Sequence, residues 1–247
     1  DGPASMSELI PVAPGPYDNW KTLAETVRTG RPPRPIDDDP GSFYTPLSEG
    51  TFTTVYRCAS LADRKLRYSA LVAPRVLELG AGGAPWAVAI LERCPEATAV
   101  INDLEEVLDV ARSKTFAFGV DSRCEFRGGD FHTVQIEDSG FDLAVLSHVC
   151  RTEGAEGSRY LIERGFDALK PGGRLLLADY FVDPEHKANP HAVMMGITMV
   201  ASTVNGFPIT NAEVASWLRD AGFQAVRLIE PIGFQFVYVA QKARETS

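Results

Sequence analysis

The run Val76-Leu77-Glu78-Leu79-Gly80-Ala81-Gly82-Gly83-Ala84 decides how this chain folds. A short apolar stretch with strand character ends in glycines, and a helical stretch, Ala84 to Cys94, follows directly. Glycine is needed where the chain turns sharply and where a bound ligand must approach the backbone without meeting Cβ atoms. The pattern therefore reads as strand, cradling turn and helix; a tight βα turn that binds nothing is the plain alternative.

Working outward from that turn, short β-rich runs alternate with helical ones. Strands are expected at Arg75 to Gly80, Ala97 to Asp103, Arg123 to Gly128, Phe141 to Ser147, Arg174 to Tyr180, Phe223 to Glu230 and Phe234 to Gln241. Helices are expected at Ala84 to Cys94, Leu104 to Phe118, Ser158 to Leu169, Ala192 to Val204 and Asn211 to Ala221. Alternation of this kind predicts an α/β, Rossmann-like seven-stranded sheet with helices on both faces. Only Pro231-Ile232-Gly233 separates the last two strands, too little for a parallel crossover, so the sheet should close with an antiparallel hairpin. Ahead of it, proline crowds residues 1–45, including Pro11-Val12-Ala13-Pro14-Gly15-Pro16 and Arg31-Pro32-Pro33-Arg34-Pro35, and leaves only Tyr17 to Thr29 free to be helical there. From Pro46 to Leu71, apolar residues at Phe52, Val55, Tyr56, Ala59, Leu66 and Leu71 recur with helical spacing. The expected division is a Pro-rich and helical segment over 1–70, serving as linker and lid, and an α/β domain over 71–247.

Composition narrows the partners. With 24 Lys plus Arg against 33 Asp plus Glu, the formal net charge of -9 would repel a phosphate backbone, which argues against nucleic acid. No apolar run approaches the ~18 residues that span a bilayer, so no membrane partner is expected. Asp1 to Glu8 lack the basic start and apolar run of a secretory signal, and Cys58, Cys94, Cys124 and Cys150 form no CxxC pair. Reduced thiols in a cytoplasmic protein are the expectation.

A dinucleotide-binding turn would need Gly-x-Gly-x-x-Gly, and its third glycine is Pro85 here. That substitution disfavours NAD or FAD and suits a ligand without a pyrophosphate. About twenty residues on, the second strand ends in Ile101-Asn102-Asp103-Leu104, placing an acid where a ribose diol can donate to it. Asp103 could instead cap the next helix.

Taken together, Glu78 to Ala84, Asn102-Asp103-Leu104, Gly129-Asp130-Phe131, Leu146-Ser147-His148 and Leu169-Lys170-Pro171-Gly172-Gly173-Arg174 resemble the class I S-adenosylmethionine-dependent methyltransferases. More narrowly, the chain is similar over about residues 17 to 240 to small-molecule O-methyltransferases of plant caffeate type and of bacterial natural-product, including antibiotic, pathways. The resemblance implies S-adenosylmethionine as cofactor and S-adenosylhomocysteine as product. It implies that Glu78 lies under the glycine turn, Gly80 and Gly82 pass the methionine moiety, Asp103 holds the ribose, and Asp130 bonds the adenine amino group after Gly129. Leu104 and Phe131 would sandwich the ring, and Ser147 would border the sulfonium. His148 occupies the family's histidine-base position, and Asp179 corresponds to the acid that orients it. His132, His186 and His191 with Asp179 leave open a metal next to His148 that would polarise a keto-acid substrate, but their spacings match no recognised ligand motif and no metal is expected.

The chain departs from the family just after that histidine: Val149-Cys150-Arg151-Thr152-Glu153 replaces the usual Asp-Trp and acids, and Asn205-Gly206-Phe207-Pro208 offers no second carboxylate. O-methylation of a small aromatic or keto-acid metabolite with His148 as base leads. Carbon methylation of an enolisable keto acid, or use of the cofactor without methyl transfer, stays open, as do a nicotinamide-dependent oxidoreductase and a non-enzymatic scaffold. The acceptor pocket is expected from Phe43, Tyr44, Phe52 and Tyr56 and from Met194, Met195, Met199 and Phe207, since adaptable methionines suit a planar acceptor. Relatives begin with a winged-helix-like region that swaps between subunits, and this chain reads as starting near its end, which leaves a homodimer open.

Overall fold

The computed structural model describes residues 15–185, 187, 189–229, 232, 233 and 235–244. Its strands are β1 (Arg75–Leu79), β2 (Thr98–Asp103), β3 (Cys124–Gly128), β4 (Phe141–Ser147), β5 (Leu169–Asp179), β6 (Gln224–Leu228) and β7 (Phe236–Gln241). They form one sheet in the order β3-β2-β1-β4-β5-β7-β6. Parallel pairing runs from β3 to β5, and β7 is antiparallel to both its neighbours. The hairpin expectation is met in its direction; Glu230, Pro231 and Phe234, expected near its tip, lie outside the described residues.

The chain winds outward from β1 to β3 and then returns to β4 on the other side of β1. That reversal opens a crevice beyond the carboxyl ends of the strands. Register aligns the edge: Leu79 pairs with Asn102 and Leu146, Asp103 with Gly128, and Ser147 with Ala178. Gly80, Asp103, Gly129, His148 and Asp179 consequently arrive at one rim.

Two apolar layers clamp the sheet. On one face α3 (Pro40–Leu66), α4 (Pro85–Arg93) and α5 (Glu105–Ala117) bury Phe52, Trp86, Ile90 and Leu108 against Val76, Ile101 and Leu143. On the other, α6 (Cys150–Ala168) and α8 (Asn211–Asp220) bury Leu161, Ile162, Trp217 and Leu218 against Leu77, Leu79 and Leu177. Alternate residues of β1 thus serve opposite layers, as strand pleating requires. The helix α8 starts with a full capping box, Thr210 with Glu213. No described helix is long and apolar enough to cross a membrane.

Several boundaries correct the sequence reading. The helix expected from Pro46 starts at Pro40 and passes through Pro46, so residues before 46 are helical beyond Tyr17 to Thr29. Pro40 suits the first turn, where an N–H would be unpaired anyway, and Asp39 accepts from the Ser42 amide. Packing of the whole apolar face offsets the bond lost at Pro46. The helix stops at Leu66 because Arg67 turns left-handed. The single early helix is two, α1 (Gly15–Trp20) and α2 (Leu23–Thr29), parted at Lys21-Thr22. They lie on α7 (Pro190–Ser202), with Trp20 Nε1 donating to Thr198 Oγ1 at 3.0 Å and Asn19 Nδ2 to Ser202 Oγ at 2.9 Å. Helix α6 starts at Cys150 rather than Ser158 and is broken at Gly154, where φ is +71°. A Cβ at Gly154 would sit 2.7 Å from the Asn205 carbonyl, so glycine is required there.

Helix α3 is part of the core rather than an appendage. Phe52 is 1% exposed, stacks on Tyr56 at 5.8 Å and meets Phe118 at 5.6 Å. Phe52→Ala should cost about 3–5 kcal/mol in chemical denaturation. A loss under about 1 kcal/mol would show that the helix is detachable.

Candidate functional site

Between β1 and α4 the backbone turns left-handed three times, at Gly80 (φ +61°), Gly82 (+56°) and Ala84 (+58°). A Cβ at Gly80 would lie 2.5 Å from Val149 Cγ1, and one at Gly82 would lie 2.8 Å from Ser48 Oγ. Both positions exclude a side chain on two grounds, conformation and space. Ala84 caps α4 but supplies no side-chain acceptor, and Pro85 has no N–H to satisfy. The carboxyl group of Glu78 does the capping from the preceding strand, accepting from Ala87 N at 2.7 Å and Trp86 N at 3.4 Å. Glu78 is fully buried, and burial, opposed by those two amides, pushes its carboxyl up to about 8.

Asp103 ends β2 at the rim. Its Oδ2 accepts from Gly82 N at 2.6 Å and its Oδ1 from its neighbour Leu104 N at 2.8 Å. It does not cap the next helix, whose cap residue is Leu104. Burial raises its carboxyl to about 6 against the pull of these amides. Each oxygen keeps a further acceptor site, so two more donors can be received. Beside it, Asn102 Nδ2 donates to the carbonyls of Arg127 and Gly129, fixing the β3 loop. Asp130 is bonded to His132 through both the amide and Nδ1, each at 2.8 Å, and His132 Nε2 lies 3.1 Å from Glu153.

One cavity of about 680 Å³ runs along this rim beneath α3. Of the expected cofactor residues, Gly80, Gly82, Asp103, Leu104, Gly129, Asp130, Phe131 and Ser147 line it. Glu78 lies beneath the turn and does not line it. Of the expected acceptor residues, Phe43, Tyr44, Phe52, Met195 and Met199 line it. Three expectations are corrected. Met194 faces away and is 58% exposed, Phe207 packs on the α6 layer, and Tyr56 donates to Glu92 at 2.6 Å. Helical geometry accounts for Met194: adjacent residues cannot share a face, and Met195 takes the inward one.

His148 lines the cavity in a left-handed conformation, φ +62°, with its amide donating to the Ala178 carbonyl at 2.8 Å. A non-glycine residue in that region carries about 1–2 kcal/mol of strain. Asp179, 1% exposed, sits below it. Its short bond, however, goes to Arg151 Nη1 at 2.6 Å, and the same nitrogen lies 2.7 Å from His148 Nδ1. Burial drives the Asp179 carboxyl upward, but Arg151, His148 and the Tyr180 amide together hold it well below the usual carboxylate range. Burial likewise works against the charge of Arg151, and Asp179 more than offsets it.

Arg151, Thr152 and Glu153 form the short turn of α6 before the break at Gly154 and all line the cavity. Their place in the site was missed from sequence; the available signal was spacing, since residue 151 falls three after His148 on a turn. Tyr180 and His191 were likewise missed as lining residues, with the Tyr180 ring tilted against His148 at 4.7 Å and edge-on to His191 at 4.6 Å. His186 lies outside the described residues; among the described ones, no group of three or more His, Cys, Asp or Glu could hold a metal ion.

A switch-point crevice, a glycine turn lacking the third glycine and an acid at the end of β2 are features of a methyltransferase-type α/β domain. Residues 55–224 match the family model for the O-methyltransferase domain, and the chain belongs to that family. It is 28% identical, over 88% of its length and 62% of the relative's, to 3-hydroxy-5-methyl-1-naphthoate 3-O-methyltransferase of Streptomyces sahachiroi. It is 25% identical, over 91% of its length and 67% of the relative's, to the tetracenomycin polyketide synthesis 8-O-methyl transferase of Streptomyces glaucescens. The fold matches human N-acetylserotonin methyltransferase, solved with SAM, at a TM-score of 0.79, with 20% identity over 98% of this chain and 71% of that one. The chain thus spans about two thirds of its curated relatives' length.

The Glu78 carboxyl makes stability pH-dependent. Its folded pKa, about 8, lies above its ordinary 4.5, so the folded state holds the proton more tightly. Stability from this group is complete below 4.5 and is lost as pH rises towards 8. Glu78→Gln should therefore fold, and its stability relative to wild type should climb across that window by up to about 1.4 kcal/mol per pH unit. Denaturation at a series of pH values reads this; a flat difference would mean that Glu78 is ionised throughout.

Proposed function

We propose that the chain transfers a methyl group from S-adenosylmethionine to an oxygen of a small aromatic acceptor. The observation that carries this reading is the continuity of the cavity: Gly80, Gly82 and Asp103 at one end and Tyr44, His148 and Met195 at the other line the same 680 Å³ space. A donor and an acceptor that must meet in line need a shared chamber of this kind. When bound, the cofactor supplies an activated methyl group on a sulfonium.

The residues present fit that cofactor. Asp103 has acceptor sites left for a ribose diol, Leu104 and Phe131 offer apolar faces to a flat base, and Asp130 offers it a polar edge. Ser147 Oγ, held by Trp86 Nε1 at 3.1 Å, borders the point where sulfur would lie. Helix α3 covers the chamber with Phe43, Tyr44 and Phe52, which keeps water from the reacting atoms. The relatives' hydroxynaphthoate and polyketide names support a fused aromatic acceptor. All four cysteines are unpaired, and burial raises each thiol, which supports a reducing, cytosolic setting.

Calorimetric titration with S-adenosylmethionine and S-adenosylhomocysteine should give saturable one-site binding. Asp103→Ala should weaken it about ten- to hundredfold, the worth of hydrogen bonds to a charged group. Wild-type affinity should also fall as pH drops below about 6, where Asp103 takes up its proton. Equal affinity in Asp103→Ala would refute the cofactor placement.

A further inference from the structure

The first turn of α6, with Arg151, Thr152 and Glu153, touches several parts of the site at once. Arg151 Nη1 lies 2.6 Å from Asp179 Oδ1 and 2.7 Å from His148 Nδ1, and the Arg151 carbonyl accepts from the Phe207 amide at 3.1 Å. Tyr44, from the covering helix α3, sits against the same turn. Burial pushes its phenol up to about 12, Arg151 and Thr152 oppose the rise, and Glu153 and Asp37 add to it. Glu153 Oε2 faces the other way, 3.1 Å from His132 Nε2 in the loop after β3.

The body of α6 grips that loop as well. Tyr160 Oη donates to the His132 carbonyl at 2.7 Å and its ring stacks on the imidazole at 5.6 Å. Arg164 donates to the Phe131 and Val134 carbonyls, each at 2.5 Å. Gly154, left-handed at φ +71°, parts the first turn from this body, so what steadies Glu153 steadies Arg151 with it. Among the described residues, Glu153 supplies the charged contact between loop and turn.

We infer that Glu153 is a positioning residue: through His132 it ties the loop that would receive the base of the cofactor to the turn that carries Arg151, so that seating the cofactor fixes the acceptor end of the cavity. The inference rests on the cofactor reading above for the identity of the ligand. Both bonds that Asp130 takes from His132 fall on Oδ1, which leaves Oδ2 to an amino edge. The Asp130 side chain is 55% exposed and that of His132 34%, so while water reaches them the His132 contacts are worth little. A nucleoside laid between Leu104 and Phe131 would exclude that water, and a charge pair shielded from water is stronger. His132 is also what separates the acids. Burial pushes the Glu153 carboxyl up, His132 opposes this, and Asp130 and Asp37 add to it.

Hydrogen–deuterium exchange of the full chain, with and without saturating S-adenosylhomocysteine, reads this link. In the wild type the ligand should slow exchange at the glycine turn, over residues 129–134 and over 149–153. The last should slow by about fivefold or more, the lower end of ordinary coupling between sites. Glu153→Ala should keep the first two effects and lose the third, and Glu153→Gln, which leaves an oxygen facing His132, should restore most of it. His132→Phe keeps a ring against Tyr160 but no nitrogen and should behave as Glu153→Ala, so the question is decided even if one variant fails to fold. A merely structural contact would alter exchange alike with and without ligand, leaving the ligand-induced difference in place. Equal slowing at 149–153 in wild type and Glu153→Ala overturns the positioning role, as does saturable binding that leaves 149–153 unchanged in the wild type. Absence of any saturable binding would instead remove the cofactor reading, and this inference with it.

Discussion

The buried carboxyl of Glu78 is the contact on which the rest of the site depends. A helix that starts at Ala84 and Pro85 has no cap of its own, and its free amides would otherwise face the protein interior. By taking the Trp86 and Ala87 amides, Glu78 joins β1 to α4 across the glycine turn. That join holds Gly82 where its amide meets Asp103, and Asp103 in turn stands at the cavity rim. Trp86, the same helix's second residue, reaches across to Ser147 on β4. One acid therefore sets the spacing between three strand ends.

A second constraint operates on the far side of the cavity. The turn before Gly154 brings Arg151 back over Asp179, and the strained backbone at His148 brings the imidazole to the same guanidinium. A buried carboxylate without a partner would cost several kcal/mol, so Arg151 has a structural reason to be there whatever its part in recognition. Asp179 Oδ1 lies 2.6 Å from Arg151 Nη1 and 3.4 Å from His148 Nδ1, so the acid is shared between the two.

The sheet, its closing hairpin and the residues that line the glycine-turn end of the cavity were legible because each has a local signature. A glycine turn, an acid at a strand end and a three-residue link between β-rich runs all act over a few residues. The misread parts depend on tertiary packing. Pro46 was read as the start of a helix, yet the buried face of α3, with Phe52 at its centre, carries the helix through it from Pro40. Met194 and Met195 are indistinguishable by composition, and only the rotation of α7 exposes one and turns the other inward. Arg151 is visible as a departure after His148, but a one-dimensional pattern does not show that its side chain comes between His148 and Asp179.

The central claim is that a single chamber seats the cofactor against the glycine turn and the acceptor against His148. A crystal structure of the full chain with S-adenosylhomocysteine bound tests this most directly. The ribose should lie on the Asp103 carboxylate, the adenine between Leu104 and Phe131, and the sulfur beside Ser147, facing the His148 end of the cavity. A nucleoside seated elsewhere, or a sulfur turned away from His148, would contradict it.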